Sequence, residues 1–317
     1  MDIIADTLDF QLYRDTAVAM GKFDGLHTGH RKLLDLVLGQ RDRGLVPCVF
    51  TFDPSPAVFF GLSDGRELMT REEKRRAFRE MGVKLLIEFP LTGESAAMEP
   101  EDFVRQVLAE RMRTRYVAAG EDVSFGRGGV GDGTLLRRLG ERWGYEMQTI
   151  EKLKYLGREV SSTYVRAQVE AGRMELAARL LGDFYTVGGR VCHGARLGHG
   201  LGMPTVNLLP PASKLLPPFG VYFSRVLYEG RRYAAISNVG CKPTVTDAGL
   251  AGVETYLYDF DREIYGEEIQ VQLLSFHRPE RRFPSLEAMK RQVREDLEAG
   301  RAYRPEGKES GGSEPEK

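Results

Sequence analysis

Two histidines in a glycine-rich turn are the residues of this sequence best suited, by type and spacing, to phosphate chemistry. His27 and His30 lie in GKFDGLHTGH, residues 21–30, where a predicted strand passes into a predicted helix and Asp24 is expected to fix a tight turn. The free N–H groups and the positive dipole end of a helix start attract phosphate. Because a lone HxGH is equally well a structural turn whose histidines cap and pack, a nucleotide site needs a second motif.

Residues 160–166, VSSTYVR, supply that second motif. Ser162, Thr163 and Arg166 fall on the first turn of a predicted helix, although the segment alone fits an ordinary N-cap equally well. HxGH resembles the nucleotidyltransferase motif, in which the histidines stabilise charge on an α-phosphate while pyrophosphate leaves. Taken together, the two segments predict that Ser162, Thr163 and Arg166 hold the β- and γ-phosphates of a nucleotide, while the histidines face its α-phosphate.

A second glycine-rich segment, HGARLGHGLGMPTVN, covers residues 193–207. Its glycines, including Gly194 and Gly202, allow a backbone to approach a phosphate closely. Thr205 and Asn207 are two residues apart, so on an extended segment both side chains point the same way and offer two oxygen ligands to Mg²⁺. The alternative is a flexible glycine-rich hairpin with a polar strand face.

Glu254 begins a predicted strand, VETYLYDFD, that is otherwise rich in apolar and aromatic residues. A carboxylate in such a strand is either a solvated edge charge or a general base. As a base it accepts the proton of an alcohol while Mg²⁺ and the glycine-rich backbone neutralise a γ-phosphoryl group. The segment therefore predicts phosphoryl transfer in the C-terminal half.

Predicted strands and helices alternate around the GKFDGLHTGH motif. From residue 16 to about 150, short apolar runs alternate with amphipathic stretches, which predicts a doubly wound, Rossmann-like parallel sheet with nucleotides at its carboxyl edge. The predicted strands are TAVAMGKF, PCVFTF, KLLIEF, RYVAAG and YEMQTI, and the predicted helices are 30–43, 70–81 with a Thr70/Glu73 capping box, 100–112 and 133–143.

The C-terminal half changes pattern after two predicted helices, 163–171 and 175–181. Strands with Gly and Pro turns predict a small antiparallel β-barrel, closed by a helix over 285–300. We place the domains at 1–183 and 184–303, followed by a tail over 304–317 whose composition predicts disorder. The predicted strands are GRVCH, VYFSRVLYEG, RRYAAISNVG, VETYLYDF and EIQVQLLSF.

Composition narrows the possible partners and compartment. A length of 317 residues suggests two domains. A net charge of −1 disfavours nucleic acid and membrane surfaces as partners. The three cysteines are far apart and never form CxxC, which indicates a reducing compartment without a zinc site or a disulfide framework. The acidic N-terminus and the lack of a long apolar run predict a cytoplasmic protein. The oligomeric state stays open.

Four ordered segments, GKFDGLHTGH, TFDPSP, GEDVSFGRGGVGD and VSSTYVR, resemble the motifs of the prokaryotic bifunctional riboflavin kinase/FMN adenylyltransferase family. HGARLGHGLGMPTVN, SNVGCKPTV and the Glu254 strand are similar to its flavokinase half. The likeness runs from about residue 16 to residue 303. It implies that ATP phosphorylates riboflavin to FMN in the C-terminal domain, and that a second ATP adenylylates FMN to FAD in the N-terminal domain, both with Mg²⁺.

The resemblance also implies roles for individual residues. Asp122 contacts the nucleotide, the TFDPSP loop lies near the flavin, and Glu254 takes the proton of the ribityl 5'-hydroxyl. The implied catalytic residues are His27, His30 and Glu254, the implied metal ligands are Thr205 and Asn207, and the implied binding residues are Gly21, Phe23, Asp24, Gly29, Asp53, Asp122, Ser162, Thr163, Arg166, Gly194, Gly202, Thr205 and Asn207.

The chain departs from the family pattern at four positions. Ser55 stands where His is common, Val123 where Phe is, Glu159 where a basic residue is, and Lys242 where Arg is. The first three motivate an alternative, a riboflavin kinase with a weakened adenylyltransferase half. Two further alternatives are a flavin- or nucleotide-binding regulator without turnover, which the intact catalytic residues disfavour, and an oligonucleotide-binding module, which the near-neutral charge disfavours.

Overall fold

The computed structural model describes residues 1–192, 205–242 and 250–305. The predicted phosphate-loop residues Gly194 and Gly202, the side chain of Lys242 and residues 306–317 of the predicted tail lie outside that description. The chain forms two compact units, and the domain boundary expected near residue 184 stays a prediction. Unit 1 comprises Met1–Ala167, Leu180–Gly182 and Ser213–Leu215, and unit 2 comprises Gln168–Arg179, Asp183–Ala212 and Leu216–Lys317.

Unit 1 is built on a six-stranded sheet in which every neighbouring pair is parallel. All five predicted strands of this sheet are confirmed, and a sixth, at the edge, was missed. In chain order the strands are β1 Asp2–Ala5, β2 Thr16–Met20, β3 Val46–Asp53, β4 Leu85–Pro90, β5 Thr114–Gly120 and β6 Glu146–Ile150, and their order across the sheet is β1-β4-β3-β2-β5-β6.

The helices begin and end close to the predicted positions. The Thr70/Glu73 capping box is present, with the Glu73 N–H donating to Thr70 Oγ1 at 3.2 Å and the Thr70 N–H donating to Glu73 Oε2 at 2.8 Å. The helices are α1 Thr28–Leu38, continued by a 3₁₀ turn Gly39–Arg43, α2 Pro56–Phe59, α3 Arg71–Glu80, α4 Gly93–Ala96, α5 Pro100–Asp102, continued by a π-helix Phe103–Arg111, α6 Gly133–Trp143, α7 Ser162–Glu170 and α8 Met174–Leu181.

Helices cover both faces of this sheet, as a doubly wound fold requires. Alternate strand residues point to opposite faces, so Val18 and Phe50 pack with the π-helix and α6, whereas Ala19 and Val49 pack with α1 and α3. A short hairpin follows the sheet, formed by β7 Lys154–Tyr155 and β8 Arg158–Glu159. This hairpin was not predicted from the sequence.

Unit 2 contains a six-stranded antiparallel sheet. Its two outer strands meet where Cys192, just after β9, bridges to Asn207, so the sheet curls into the expected barrel-like shape. The first strand starts at Tyr185, earlier than the predicted GRVCH. The elements are β9 Tyr185–Arg190, β10 Thr205–Leu208, β11 Gly220–Tyr228, β12 Arg231–Lys242, β13 Leu250–Leu257, β14 Glu268–Pro279 and the closing helix α9 Leu286–Ala302, with the sheet order β10-β13-β12-β11-β14-β9.

Across the described ranges, we find no helix with the length and apolar character needed to cross a membrane.

A buried ion pair holds residue 214 inside unit 1. The Lys214 ammonium, whose side chain is 0% exposed, lies 2.7 Å from Glu73 Oε2 and donates to the Leu68 carbonyl at 2.7 Å. Removing one partner of such a pair leaves an uncompensated buried charge, which costs about 3–5 kcal/mol. We therefore expect Lys214→Met to lower the free energy of unfolding of unit 1 by about 3 kcal/mol.

The measurement is urea unfolding followed by the fluorescence of Trp143, the only tryptophan of the chain, which lies in unit 1. Lys84→Met is the matched control, because Lys84 is exposed and also belongs to unit 1. Adding Glu73→Gln to Lys214→Met should recover part of the loss. A loss of unfolding free energy of less than about 1 kcal/mol in Lys214→Met would be that of an exposed ion pair. It would contradict a stabilising role for the buried pair.

Candidate active sites

The turn between β2 and α1 is held in an unusual backbone conformation. Phe23, Gly25 and Leu26 have positive φ angles of 52°, 87° and 44°. A Cβ at Gly25 would also come within 2.7 Å of Leu68 Cδ1, so this position requires glycine. The Phe23 ring is fully buried and packs against His30 at 5.0 Å between centroids, which gives its side chain a supporting position beneath the turn.

The two histidines of this turn stack on each other. Their ring centroids are 3.8 Å apart, with 17° between the planes. His27 is the N-cap of α1, since its Nδ1 accepts from the His30 N–H at 3.4 Å. Its Nε2 is thereby left to carry the proton. The Nδ1 of His30 is buried and has no hydrogen-bond partner within the described part of the chain.

Burial keeps both imidazoles neutral. It lowers the pKa of His27 to about 4, against the opposing pull of the Asp122 carboxylate, and it lowers the pKa of His30 well below the usual range, with His27 adding to the effect. A Cβ at Gly29 would lie 3.2 Å from the His27 ring, so glycine leaves room for this stack. At neutral pH the pair offers N–H groups rather than positive charges.

These depressed pKa values predict that acid destabilises unit 1. An unfolded histidine binds a proton below about pH 6.5, whereas the folded His30 does not, so the folded state loses stability as pH falls through that range. From pH 7 to pH 5 one such histidine accounts for about 2 kcal/mol. We therefore compare the free energies of unfolding of wild type and His30→Gln, measured by Trp143 fluorescence in urea. Between pH 7 and pH 5, wild type should lose about 2 kcal/mol relative to the variant. If the difference between the two proteins does not change with pH, the folded His30 is not neutral.

Asp24 joins the two predicted phosphate motifs. Ser162 Oγ donates to the Asp24 carbonyl at 2.7 Å, and Arg166 Nη2 donates to the Asp24 carboxylate at 2.9 Å. The carboxylate also accepts from the Leu68 N–H at 2.7 Å. Burial raises the pKa of Asp24, helped by the Glu67 charge and opposed mainly by Arg166. The structure therefore places the GKFDG turn against the start of α7, as the motif pairing predicted.

The remaining predicted residues of unit 1 lie at the carboxyl ends of its strands. Gly21 follows β2, and Asp53 ends β3 with its carboxylate 3.3 Å from Arg71 Nε. Asp122 follows β5 and pairs with Lys152 at 3.3 Å. Thr163 is exposed on the first turn of α7. Parallel strands bind ligands at this edge, but the predicted ligand contacts of these residues remain predictions.

Glu254 is the centre of the candidate site in unit 2. It lies in the middle of β13, not at the start of the strand as expected, and β13 runs between β10 and β12. This position excludes the reading of Glu254 as a sheet-edge charge. Its Oε1 accepts from Thr205 Oγ1 at 2.8 Å, and in the sheet register Glu254 stands between Asn207 and Asn238.

Oxygen atoms at this site suit a hard cation such as Mg²⁺. Asn207 is 3% exposed, and its Oδ1 is buried without a hydrogen-bond partner among the described residues. An orphaned buried carbonyl calls for a ligand, because leaving it unpaired costs free energy. Thr205 Oγ1 and the Glu254 carboxylate are further oxygens on neighbouring positions. The donor set therefore fits the metal implied by the sequence.

Two hollows in unit 2 share Thr205 as a lining residue. The larger, of about 930 Å³, lies between the sheet and α9 and is lined by Glu254, Asn238, Tyr256 and Arg278 among others. Its volume is in the range of small-molecule sites. The smaller, of about 220 Å³, is lined by Phe260 and its neighbours. Sequence reasoning missed the lining by α9, because only the packed fold brings that helix over Glu254.

Both halves of this chain match known protein families. A family model described as FAD synthetase matches residues 10–164, and one described as riboflavin kinase matches residues 181–304. The chain is 34% identical over 290 residues to the bifunctional riboflavin kinase/FMN adenylyltransferase of Escherichia coli K12, covering 90% of this chain and 92% of the relative. The corresponding protein of Listeria monocytogenes is 32% identical, covering 90% and 91%.

A solved structure from Streptococcus pneumoniae is similar to this chain over nearly its whole length. It is a crystal structure from Streptococcus pneumoniae described as a macrolide-efflux protein, with a TM-score of 0.83 and 27% sequence identity. The likeness covers 95% of this chain and 99% of that one.

Proposed function

The chain belongs to the bifunctional riboflavin kinase/FMN adenylyltransferase family, and from that premise we propose which of its residues carry the two reactions. The protein phosphorylates riboflavin to FMN with ATP, and it adenylylates FMN with a second ATP to give FAD and pyrophosphate. The assignment of residues rests on one observation, that each unit has its own group of reactive side chains. Unit 1 has the stacked His27/His30 pair, and unit 2 has the contact between Thr205 and Glu254.

In the adenylyltransferase reaction, His27 and His30 donate N–H hydrogen bonds to the α-phosphate of ATP. As the phosphate of FMN attacks that phosphorus, negative charge grows on its oxygens and these bonds strengthen, which lowers the barrier. Ser162, Thr163 and Arg166 bind the departing β- and γ-phosphates. The bonds of Ser162 and Arg166 to Asp24 support this role, because they hold the start of α7 against the histidine turn.

In the kinase reaction, Glu254 accepts the proton of the ribityl 5'-hydroxyl, whose oxygen then attacks the γ-phosphoryl group of ATP. Thr205 and Asn207 would hold Mg²⁺, which would neutralise charge on the phosphates. The buried, unpartnered Oδ1 of Asn207 supports this assignment. The flavin occupies the larger hollow of unit 2, where Glu254 is a lining residue.

The departures in the adenylyltransferase half do not favour loss of that activity. Val123 packs against the apolar core between the sheet and α6, and the Glu159 carboxylate is paired with the Lys152 ammonium at 3.3 Å. Ser55 is the residue before α2, and its side chain makes no capping hydrogen bond. We propose that FAD synthesis is retained, and that the protein acts in the cytoplasm.

One assay tests whether the protein carries out both reactions. Purified protein is incubated with riboflavin, ATP and Mg²⁺, and FMN and FAD are resolved by chromatography. Both products are expected, and both reactions should stop when EDTA removes the metal. FMN without FAD would establish the weakened alternative, and flavin binding without either product would indicate a regulator.

A further inference from the structure

Lys152 lies between two carboxylates at the carboxyl edge of the unit 1 sheet. Its Nζ is 3.3 Å from Asp122 Oδ2 and 3.3 Å from Glu159 Oε2. Asp122 follows β5, Lys152 follows β6, and Glu159 ends the hairpin strand β8. The loop after β5 and the segment that runs from β6 through the hairpin thus bring one ammonium and two carboxylates together.

Backbone contacts hold the two loops of this group side by side. The Glu121 N–H donates to the Ile150 carbonyl at 3.1 Å, and the Lys152 N–H donates to Glu121 Oε1 at 3.4 Å. The position of Lys152 relative to Asp122 is therefore set by the backbone as well as by the ion pair.

The group lies near the stacked histidines. β5 is the direct neighbour of β2 in the sheet, so the loop that carries Asp122 and the turn that carries His27 emerge from adjacent strands at the same edge. The Asp122 charge also acts on the His27 imidazole, where it raises the pKa against the larger effect of burial. A nucleotide whose phosphates reach His27 must therefore pass close to Asp122.

Charge makes that approach unfavourable without Lys152. The carboxylates of Asp122 and Glu159, together with that of the adjacent Glu121, repel an incoming triphosphate, and one ammonium offsets only part of that repulsion. A lysine ammonium has three N–H donors, and two carboxylates account for two of them. The Lys152 side chain is 33% exposed, so a phosphate oxygen can reach the third donor without breaking either ion pair.

We propose that Lys152 is a binding residue of the adenylyltransferase site that contacts a phosphate group of ATP, and that Glu159 is the residue that positions it. The inference rests on the proposed function of unit 1 and extends its binding site beyond the residues that the motifs predicted. A charge-assisted hydrogen bond to a partly exposed lysine changes affinity by roughly tenfold.

The test is steady-state FMN adenylylation with ATP as the varied substrate. Lys152→Met should raise the KM for ATP about tenfold and change kcat less than about threefold, whereas Lys152→Arg should stay near wild type. Lys84→Met is the matched control, because it removes the same charge from an exposed residue at the amino end of β4, the opposite edge of the sheet. Riboflavin phosphorylation by the same samples should keep its KM for ATP, because that site belongs to unit 2, and the fluorescence of Trp143 reports whether unit 1 is folded.

Glu159 is tested by a double-mutant cycle. If Glu159 positions Lys152, Glu159→Gln should raise the KM for ATP in the wild-type background. In the Lys152→Met background the same change should lower it, because only the repulsion of phosphate by Glu159 remains to be removed. A decrease in both backgrounds would show that Glu159 merely repels ATP and would overturn its positioning role.

The inference and the proposed function fail in different ways. If wild type forms FAD but Lys152→Met has an unchanged KM for ATP, or if Lys84→Met shows the same increase, Lys152 is not a phosphate-binding residue. If wild type forms no FAD at all, the proposed function of unit 1 is wrong.

Discussion

Glu254→Gln is expected to reduce the rate of FMN formation by about 10²- to 10⁴-fold, the usual contribution of a positioned general base. Glutamine keeps the size of the side chain and an acceptor for the Thr205 hydroxyl, whose oxygen lies 2.8 Å from the carboxylate. It cannot accept the proton of the ribityl hydroxyl. The effect should therefore appear in kcat, with a smaller change in the KM for riboflavin.

Two controls make this result specific. Glu298→Gln removes an exposed carboxylate from α9, and it should keep wild-type FMN formation. FAD formation from supplied FMN should continue in Glu254→Gln, because the proposed adenylyltransferase residues belong to unit 1. If Glu254→Gln abolished both activities in folded protein, a model with independent sites would be wrong. An unchanged kcat for FMN formation would remove Glu254 from the catalytic residues.

Local sequence signals predicted those features that depend on neighbouring residues. The Thr70/Glu73 capping box links residues three positions apart, and it is present as predicted. The buried strands β2 to β5 were recognisable as apolar runs, and the partly buried edge strand β6 was recognised as well. The strand Asp2–Ala5 was missed because its four residues are too few to show a clear pattern.

Features that depend on register or on distant packing could not be predicted in the same way. Glu254 was placed at a strand start, because the apolar pattern begins at Val253, whereas pairing with β12 extends the strand back to Leu250. Its position beside Asn207 follows from the register of β10 and β13, which local pattern does not specify. Lys152 gave no motif signal, since its partners Asp122 and Glu159 become neighbours only in the fold.

The neutral state of the histidine pair bears on how unit 1 stabilises charge. A cationic imidazole attracts phosphate in the ground state as well as in the transition state, whereas a neutral N–H donor gains strength mainly as negative charge develops on the α-phosphate oxygens. Burial depresses the pKa of both rings, so the folded protein presents donors without the cost of desolvating two cations. Removal of the pair should therefore affect kcat more than ATP binding.

The variant with both His27→Ala and His30→Ala is accordingly expected to lose FAD formation by about 10³-fold or more, since each lost donor to a developing oxyanion costs about 10²- to 10³-fold. Riboflavin phosphorylation should persist at the wild-type rate, because Glu254 and Thr205 lie in unit 2. The measurement is the initial rate of FAD from supplied FMN and ATP, with FMN formation assayed in parallel.

A second variant controls for loss of FAD formation that is caused only by the cavity that the two alanines leave. Replacing both histidines with glutamine restores volume and an N–H donor, so it should recover part of the lost FAD formation if hydrogen-bond donation is the function of the pair. Full FAD synthesis in the alanine variant would show that the stacked imidazoles only support the turn. Equal loss of both activities, with Trp143 fluorescence indicating folded protein, would instead mean that the two reactions share one site.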